Sequence, residues 1–159
     1  MAKSIPDGFH AVTPSITFKD TQKAIDFYKK AFGAKVTGVF KNPTGRGVMH
    51  ATIQIGNSMI MMGDEMHGSE HCGKSAETLG GSPITLFVYV PDADAAFKQA
   101  VAAGGALTMS VGDQFWGDRA GMVLDPFGYS WMIATHKQDL SDEQVRKNAE
   151  AFFGQMGKK

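Results

Sequence analysis

Four pairs of residues in this chain are separated by the same 72 positions: Asp20 and Asp92, Ala24 and Ala96, Gly33 and Gly105, Gly56 and Gly128. The paired residues occupy matching places in the local pattern. Asp20 and Asp92 stand where a helix needs a cap, because a carboxylate accepts from the unpaired N–H groups of the first turn. Behind Asp20, the apolar residues Ala24, Ile25, Phe27, Tyr28, Ala31 and Phe32 keep the spacing of one helix face. Gly33 follows in the position after a helix that favours glycine. Behind Asp92, a second helix is predicted through Ala103, stopped by Gly104-Gly105. A duplicated unit constrains the architecture more than any single motif in the chain.

The same unit fills in on both sides. Val12–Phe18, Lys35–Phe40, Val48–Ile55 and Ser58–Met62 are rich in β-branched and aromatic residues and read as strands. So do Ile84–Val90, Ala106–Ser110, Arg119–Leu124 and Tyr129–Thr135 in the second half. Asn42-Pro43-Thr44-Gly45, Gly56-Asn57 and Asp125-Pro126-Phe127-Gly128 are turns by composition. The prediction is an α+β fold of two βαβββ modules with a C-terminal helix. The first module spans residues 10–66, a linker 67–82, the second module 83–137 and the tail 138–159. At 159 residues, these parts belong to a single domain. The tail opens on Ser141-Asp-Glu-Gln144, a capping box, and carries the apolar stripe Val145, Ala149, Phe152 and Met156. That helix packs either on its own subunit or on a dimer partner.

Composition narrows the function. Nineteen glycines suggest disorder until they are set beside sixteen aromatic residues, which a disordered chain does not carry. Sixteen Lys+Arg balance sixteen Asp+Glu, so the basic excess needed to bind nucleic acid or an anionic membrane surface is missing. No apolar run approaches the ~18 residues of a membrane span, and the first residues lack the apolar core of a signal peptide. The lone cysteine, Cys72, cannot form an internal disulfide, which fits a reducing compartment. A cytoplasmic protein without nucleic-acid or membrane partners is expected.

Thr17-Phe-Lys-Asp20 followed by Ala24-Ile-Asp-Phe-Tyr-Lys-Lys-Ala-Phe-Gly33 resembles the first-module signature of the vicinal oxygen chelate superfamily. That superfamily includes glyoxalase I, extradiol dioxygenases and the bleomycin-resistance proteins. Phe115-Trp-Gly-Asp-Arg119 and Asp125-Pro-Phe-Gly128-Tyr-Ser-Trp131 resemble its PhnB-like branch. The resemblance covers about residues 10–137. It implies that each module curls into a half-barrel of mixed strands whose concave face holds the ligand. It also implies that pairing of modules or subunits, here in a homodimer, completes the pocket.

Metal enzymes of the superfamily place His, Gln or Glu on the first and fourth strands of each module. Carried over by the helix and turn anchors, those positions are Thr13, Met61 (Ile60 by the bare offset), Thr85 and Met132. A threonine hydroxyl is a poor ligand at neutral pH, and a thioether prefers soft ions, so this set does not suit Zn, Ni, Mn or Fe. No metal and no cofactor are expected there. His67, Glu70, His71 and Cys72 cluster in the linker, and His67 and His71 at i, i+4 would share a helix side. The flanking glycines disfavour a rigid ligand helix and favour a polar surface loop.

Candidate ligand-binding residues are Thr13, His50, Met61, Thr85, Trp116, Arg119 and Met132. Strand alternation puts His50 on one face with Thr52 and Gln54. There it is either an acid/base or a hydrogen-bonded structural histidine. Trp116 and Arg119 would offer a flat apolar surface and a cationic fork to a planar or anionic ligand. In the competing reading, Trp116 packs under its loop and Arg119 pairs with Asp118 or Asp125. The methionines are adaptable lining or core filling. The leading reading is a metal-free protein that binds a small, partly apolar or planar molecule, with sequestration of the bleomycin-resistance type as one role. The alternative is a metal-dependent lyase- or dioxygenase-like enzyme with displaced ligands, using His50 and the linker histidines. A third reading is a structural or regulatory protein whose pocket its own side chains fill.

Overall fold

The computed structural model describes residues 2–66 and 73–156. The chain runs β1 (Ser15–Phe18), α1 (Thr21–Phe32), β2 (Lys35–Lys41), β3 (Val48–Ile55) and β4 (Ser58–Asp64), then α2 (Ala76–Leu79). The pattern repeats as β5 (Thr85–Tyr89), α3 (Ala93–Ala102), β6 (Ala106–Asp113), β7 (Asp118–Leu124) and β8 (Ser130–His136), followed by α4 (Asp142–Met156). The two halves form separate four-stranded sheets with the same topology, β1-β4-β3-β2 and β5-β8-β7-β6. In each, the first strand lies parallel to the fourth and the other pairings are antiparallel. Neither sheet closes into a barrel. This is the α+β architecture that the 72-residue offset predicts.

The local chemistry of the repeat is visible at the helix ends. Asp20 accepts from Lys23 N and Asp92 from Ala95 N, each at 3.0 Å, which caps α1 and α3 in the same way. The other ends differ. Gly33 terminates α1 with φ 64°, a left-handed cap. After α3 the cap is Ala103 in a right-handed conformation, and Gly104 takes the positive φ of 118°. Gly105, the offset partner of Gly33, is needed instead for close approach: a Cβ there would lie 3.0 Å from Ala100 O.

Several predicted boundaries shift for physical reasons. β1 starts at Ser15, not Val12, because Pro14 has no N–H to give a ladder, although its carbonyl still accepts from Met61 N. β6 continues through Asp113, past the predicted end at Ser110. Irregularities between Leu107 and Met109 and between Met109 and Gly112 break the alternation that would have revealed it. The linker is not structureless, since Ser75 caps the single-turn helix α2 through Thr78 N. One turn is too short to leave a periodic signal. His67, Glu70, His71 and Cys72 lie outside the described residues.

One continuous core joins the modules. Phe18 and Tyr28 of the first pack edge-on against Phe127 of the second, and Tyr28 and Phe32 meet Trp131. Asp125 is the polar centre of this cluster. It is 3% exposed and accepts from Tyr28 Oη (2.6 Å), Trp131 Nε1 (3.0 Å) and the amides of Phe127 and Tyr129. Burial pushes both Asp125 and Tyr28 above their usual ranges. Tyr129 makes a second link, donating to Thr17 O and accepting from Ala76 N. Gln99 of α3 donates to Lys30 O of α1 at 2.7 Å.

Candidate functional site

Each sheet has a helix-facing side and an open side, and alternation assigns the residues of the regular strands β3, β4, β5, β7 and β8 to one of them. In the first sheet, Ala51, Ile53, Ile60 and Met62 are buried in the core. Thr52 pairs with Met61 and Gln54 with Met59 on the opposite side. In the second sheet, Val123, Trp131 and Ile133 point into the core. Phe87, Met132 and Met122 form one rung on the open side, and Tyr89, Ala134 and Ala120 form the next. Phe87 and Tyr89 are 47% and 61% exposed, with ring centroids 5.1 Å apart. Exposed neighbouring aromatics on a sheet face are a typical surface for an apolar partner or ligand.

That apolar floor ends in a polar rung. Asp118, at the start of β7, is 2% exposed and accepts three hydrogen bonds from three separate segments. Tyr89 Oη (3.0 Å) and Trp116 Nε1 (2.9 Å) donate to Oδ2, and His136 Nδ1 lies 2.8 Å from Oδ1. Burial alone would raise the Asp118 carboxyl, but the three donors together outweigh it and hold the group below its usual range. His136 Nε2 lies 3.0 Å from Asp139 Oδ1. Asp139 and Asp118 together push His136 above the ordinary imidazole value.

The predicted site residues separate into groups. His50 bonds Thr52 Oγ1 at 3.2 Å, and Thr52 pairs with Met61, so His50, Thr52 and Met61 share the open side of the first sheet. Of the two alignments for the fourth strand, Met61 is the open-side residue, while Ile60 is buried against Ile53. Thr13 precedes β1 and donates to His10 O. Thr85 and Met132 lie on the open side of the second sheet, one rung apart. Trp116 sits at the polar rung. Arg119 does not join it. Alternation sends Arg119 to the helix side, where its guanidinium holds Asp94 of α3 (2.6 and 2.8 Å) and Asp113 (3.1 Å). The fork that sequence paired with Trp116 is thus committed elsewhere, and its partners are neither Asp118 nor Asp125.

Sequence reasoning missed Asp118, Tyr89 and His136. A signal was present: His136 follows Met132 and Ala134 at alternate positions, which places it on the same face. Among the described residues, two cavities lie between the modules near the first strands. One, about 300 Å³, is lined by Ile16, Leu79, Ile84, Leu86 and Tyr129 among others. The other, about 260 Å³, includes Met59, Phe87, Tyr89 and Trp131. None of the seven predicted residues lines either cavity.

Comparison with known proteins agrees with this architecture. The model of the Glyoxalase/Bleomycin resistance protein/Dioxygenase superfamily matches residues 9–133. The chain belongs to that superfamily. An uncharacterized protein of Mycobacterium tuberculosis is 35% identical over 139 residues, covering 86% of this chain and 80% of the relative. The solved structure of an Arabidopsis thaliana gene product superposes with a TM-score of 0.61 at 28% identity, covering 79% of this chain and 98% of that one. The PhnB protein from Bacillus cereus shares the fold with a TM-score of 0.60 at 20% identity, covering 79% and 99%.

Membership raises the question of a metal, and the side chains at the positions that the sequence resemblance points to do not suit one. Thr13, Met61, Thr85 and Met132 offer hydroxyls and thioethers where a hard or borderline ion needs imidazole or carboxylate. Among the described residues, no group of three or more His, Cys, Asp or Glu side chains is placed to hold a metal ion. His136 sits between two carboxylates, but Asp118 already has three donors.

Proposed function

We propose that this protein binds a small, partly apolar or planar molecule on the open sides of its sheets, without a metal at the superfamily positions. The observation that carries the reading is the apolar floor of the second sheet, with Phe87 and Tyr89 exposed beside half-buried Met132, ending in the preorganised carboxylate of Asp118. A floor of aromatic and thioether groups with a few convergent polar groups is how small-molecule sites are commonly built. Thr85 and Trp116 would border this floor, and Thr13, His50 and Met61 the corresponding face of the first sheet. Arg119 is left out because it is spent on Asp94 and Asp113.

The pocket needs a cover, and a second copy of the chain is the proposed one. Phe40 on the first sheet is 61% exposed, comparable to Tyr89 on the second. Pairing these surfaces across two chains would bury both. Sequestration needs affinity alone, which suits a floor built of apolar side chains.

Methionine methyl groups report on this directly, because Met61, Met122 and Met132 lie on open sides while Met62 is in the core. In NMR of the full chain with labelled methionine methyls, a library of small aromatic fragments should shift Met122 and Met132, leaving Met62 in place. Binders that shift neither would overturn the reading.

A further inference from the structure

The polar rung also indicates what kind of molecule the floor takes. Both nitrogens of His136 meet carboxylate oxygens, Nδ1 with Asp118 and Nε2 with Asp139. An ionised carboxylate only accepts, so the geometry uses both nitrogens as donors, which is the imidazolium form. The two carboxylates differ in kind. Asp118 is buried and fixed by Tyr89 and Trp116 as well as by His136. Asp139 is fully exposed, held by this one contact, and sits on the short segment between β8 and α4. Exposed ion pairs of this sort contribute little, so Asp139 is readily displaced.

We propose that Asp139 occupies the position of a ligand's carboxylate, and that the open side of the second sheet selects small aromatic acids. The Nε2–H of His136 would hold the acid group, and the aromatic body would lie against Tyr89 and Phe87. Asp118, through Nδ1, orients the ring and keeps it charged. The spacing suits this. His136 lies two residues beyond Ala134, the register partner of Tyr89, which is about 7 Å along a strand. A ring separated from its carboxylate by two or three bonds spans that distance. This inference rests on the proposal that the floor binds small molecules, and adds the class of ligand.

The test uses three probes of nearly equal shape on the full-length protein: 3-phenylpropionate, 3-phenylpropanamide and 3-phenylpropan-1-ol. Binding is followed by calorimetry and by the methyl signals of Met122 and Met132. The wild type should bind the acid at least tenfold more tightly than the amide or the alcohol. His136→Gln should bring the three affinities together. Asp139→Ala, at a fully exposed position that does not threaten folding, should tighten the acid several-fold and leave the amide unchanged. Equal affinities for acid and amide would overturn the aromatic-acid assignment while the small-molecule reading stood. Acid binding left unchanged by Asp139→Ala would overturn that assignment as well. Absence of binding by all three, with no methyl shift from other fragments either, would overturn both.

Discussion

Tyr28→Phe removes one oxygen and should cost this protein a measurable part of its stability. The Tyr28 hydroxyl donates to Asp125 Oδ2 at 2.6 Å, and both residues are buried. It also ties the helix of the first module to the β7–β8 turn of the second. Phenylalanine keeps the ring contacts with Phe18, Phe27, Phe127 and Trp131. The loss is therefore confined to the hydrogen bond. A hydrogen bond to a charged group contributes ~1.5–3 kcal/mol net, and its loss leaves the buried carboxylate with three donors instead of four. At ~2–4 °C per kcal/mol for a chain of this size, the Tm should fall by about 3–12 °C. Tyr129→Phe provides the comparison, because its hydroxyl makes two hydrogen bonds to neutral groups, donating to Thr17 O and accepting from Ala76 N, and should cost about 2 kcal/mol. Calorimetry of both variants, with urea melts to check that the m-value holds, measures the difference. A Tyr28→Phe protein as stable as wild type would refute the role given to Asp125.

Three further outcomes are expected. Met62→Ala should destabilise by ~2–5 kcal/mol in urea denaturation while Met61→Ala, on the open side, costs under about 1, so equal losses would contradict the register of β4. Gly117 has φ 101°, and a Cβ there would collide with Gln138 O. Gly117→Ala should therefore lower the Tm and disturb the indole fluorescence of Trp116 beside it, and an unchanged spectrum would count against the loop geometry. Glu65 is held at about 2 by Ser75 N and then by Thr78, below its ordinary value. Because the folded pKa is depressed, this contact is present above about pH 4.5 and is lost as the pH falls toward 2. Protection factors for amide exchange in Ser75–Leu79, which correct for the intrinsic pH dependence of exchange, should fall across that window in wild type and should not follow that pH dependence in Glu65→Gln.

The parts of the fold that could be read from sequence were those written in local chemistry. Asp20, Asp92, Gly33 and the Ser141–Gln144 capping box each act within five residues, and the structure shows the reciprocal bonds between Ser141 and Gln144. The β6 extension and α2 were hidden, one by irregular register and the other by brevity. The site was harder still. Asp118 gathers a local donor from Trp116 and donors from positions 89 and 136, which only the sheet register brings together. Arg119 shows the same dependence in reverse. It lies next to Asp118 in the chain, but strand alternation sends it through the sheet to Asp94. The tail helix kept both of its sequence readings. Phe152 and Phe153 pack on Phe115, yet both remain exposed.

The central claim is a small-molecule site that works without a metal at the superfamily positions. Native mass spectrometry of protein purified without a polyhistidine tag tests it most directly. The expected spectrum has two chains per particle, no stoichiometric transition metal, and an added mass on the wild type from a retained or supplied small aromatic acid. One Zn, Ni, Mn or Fe ion per chain, retained through the measurement, would contradict it.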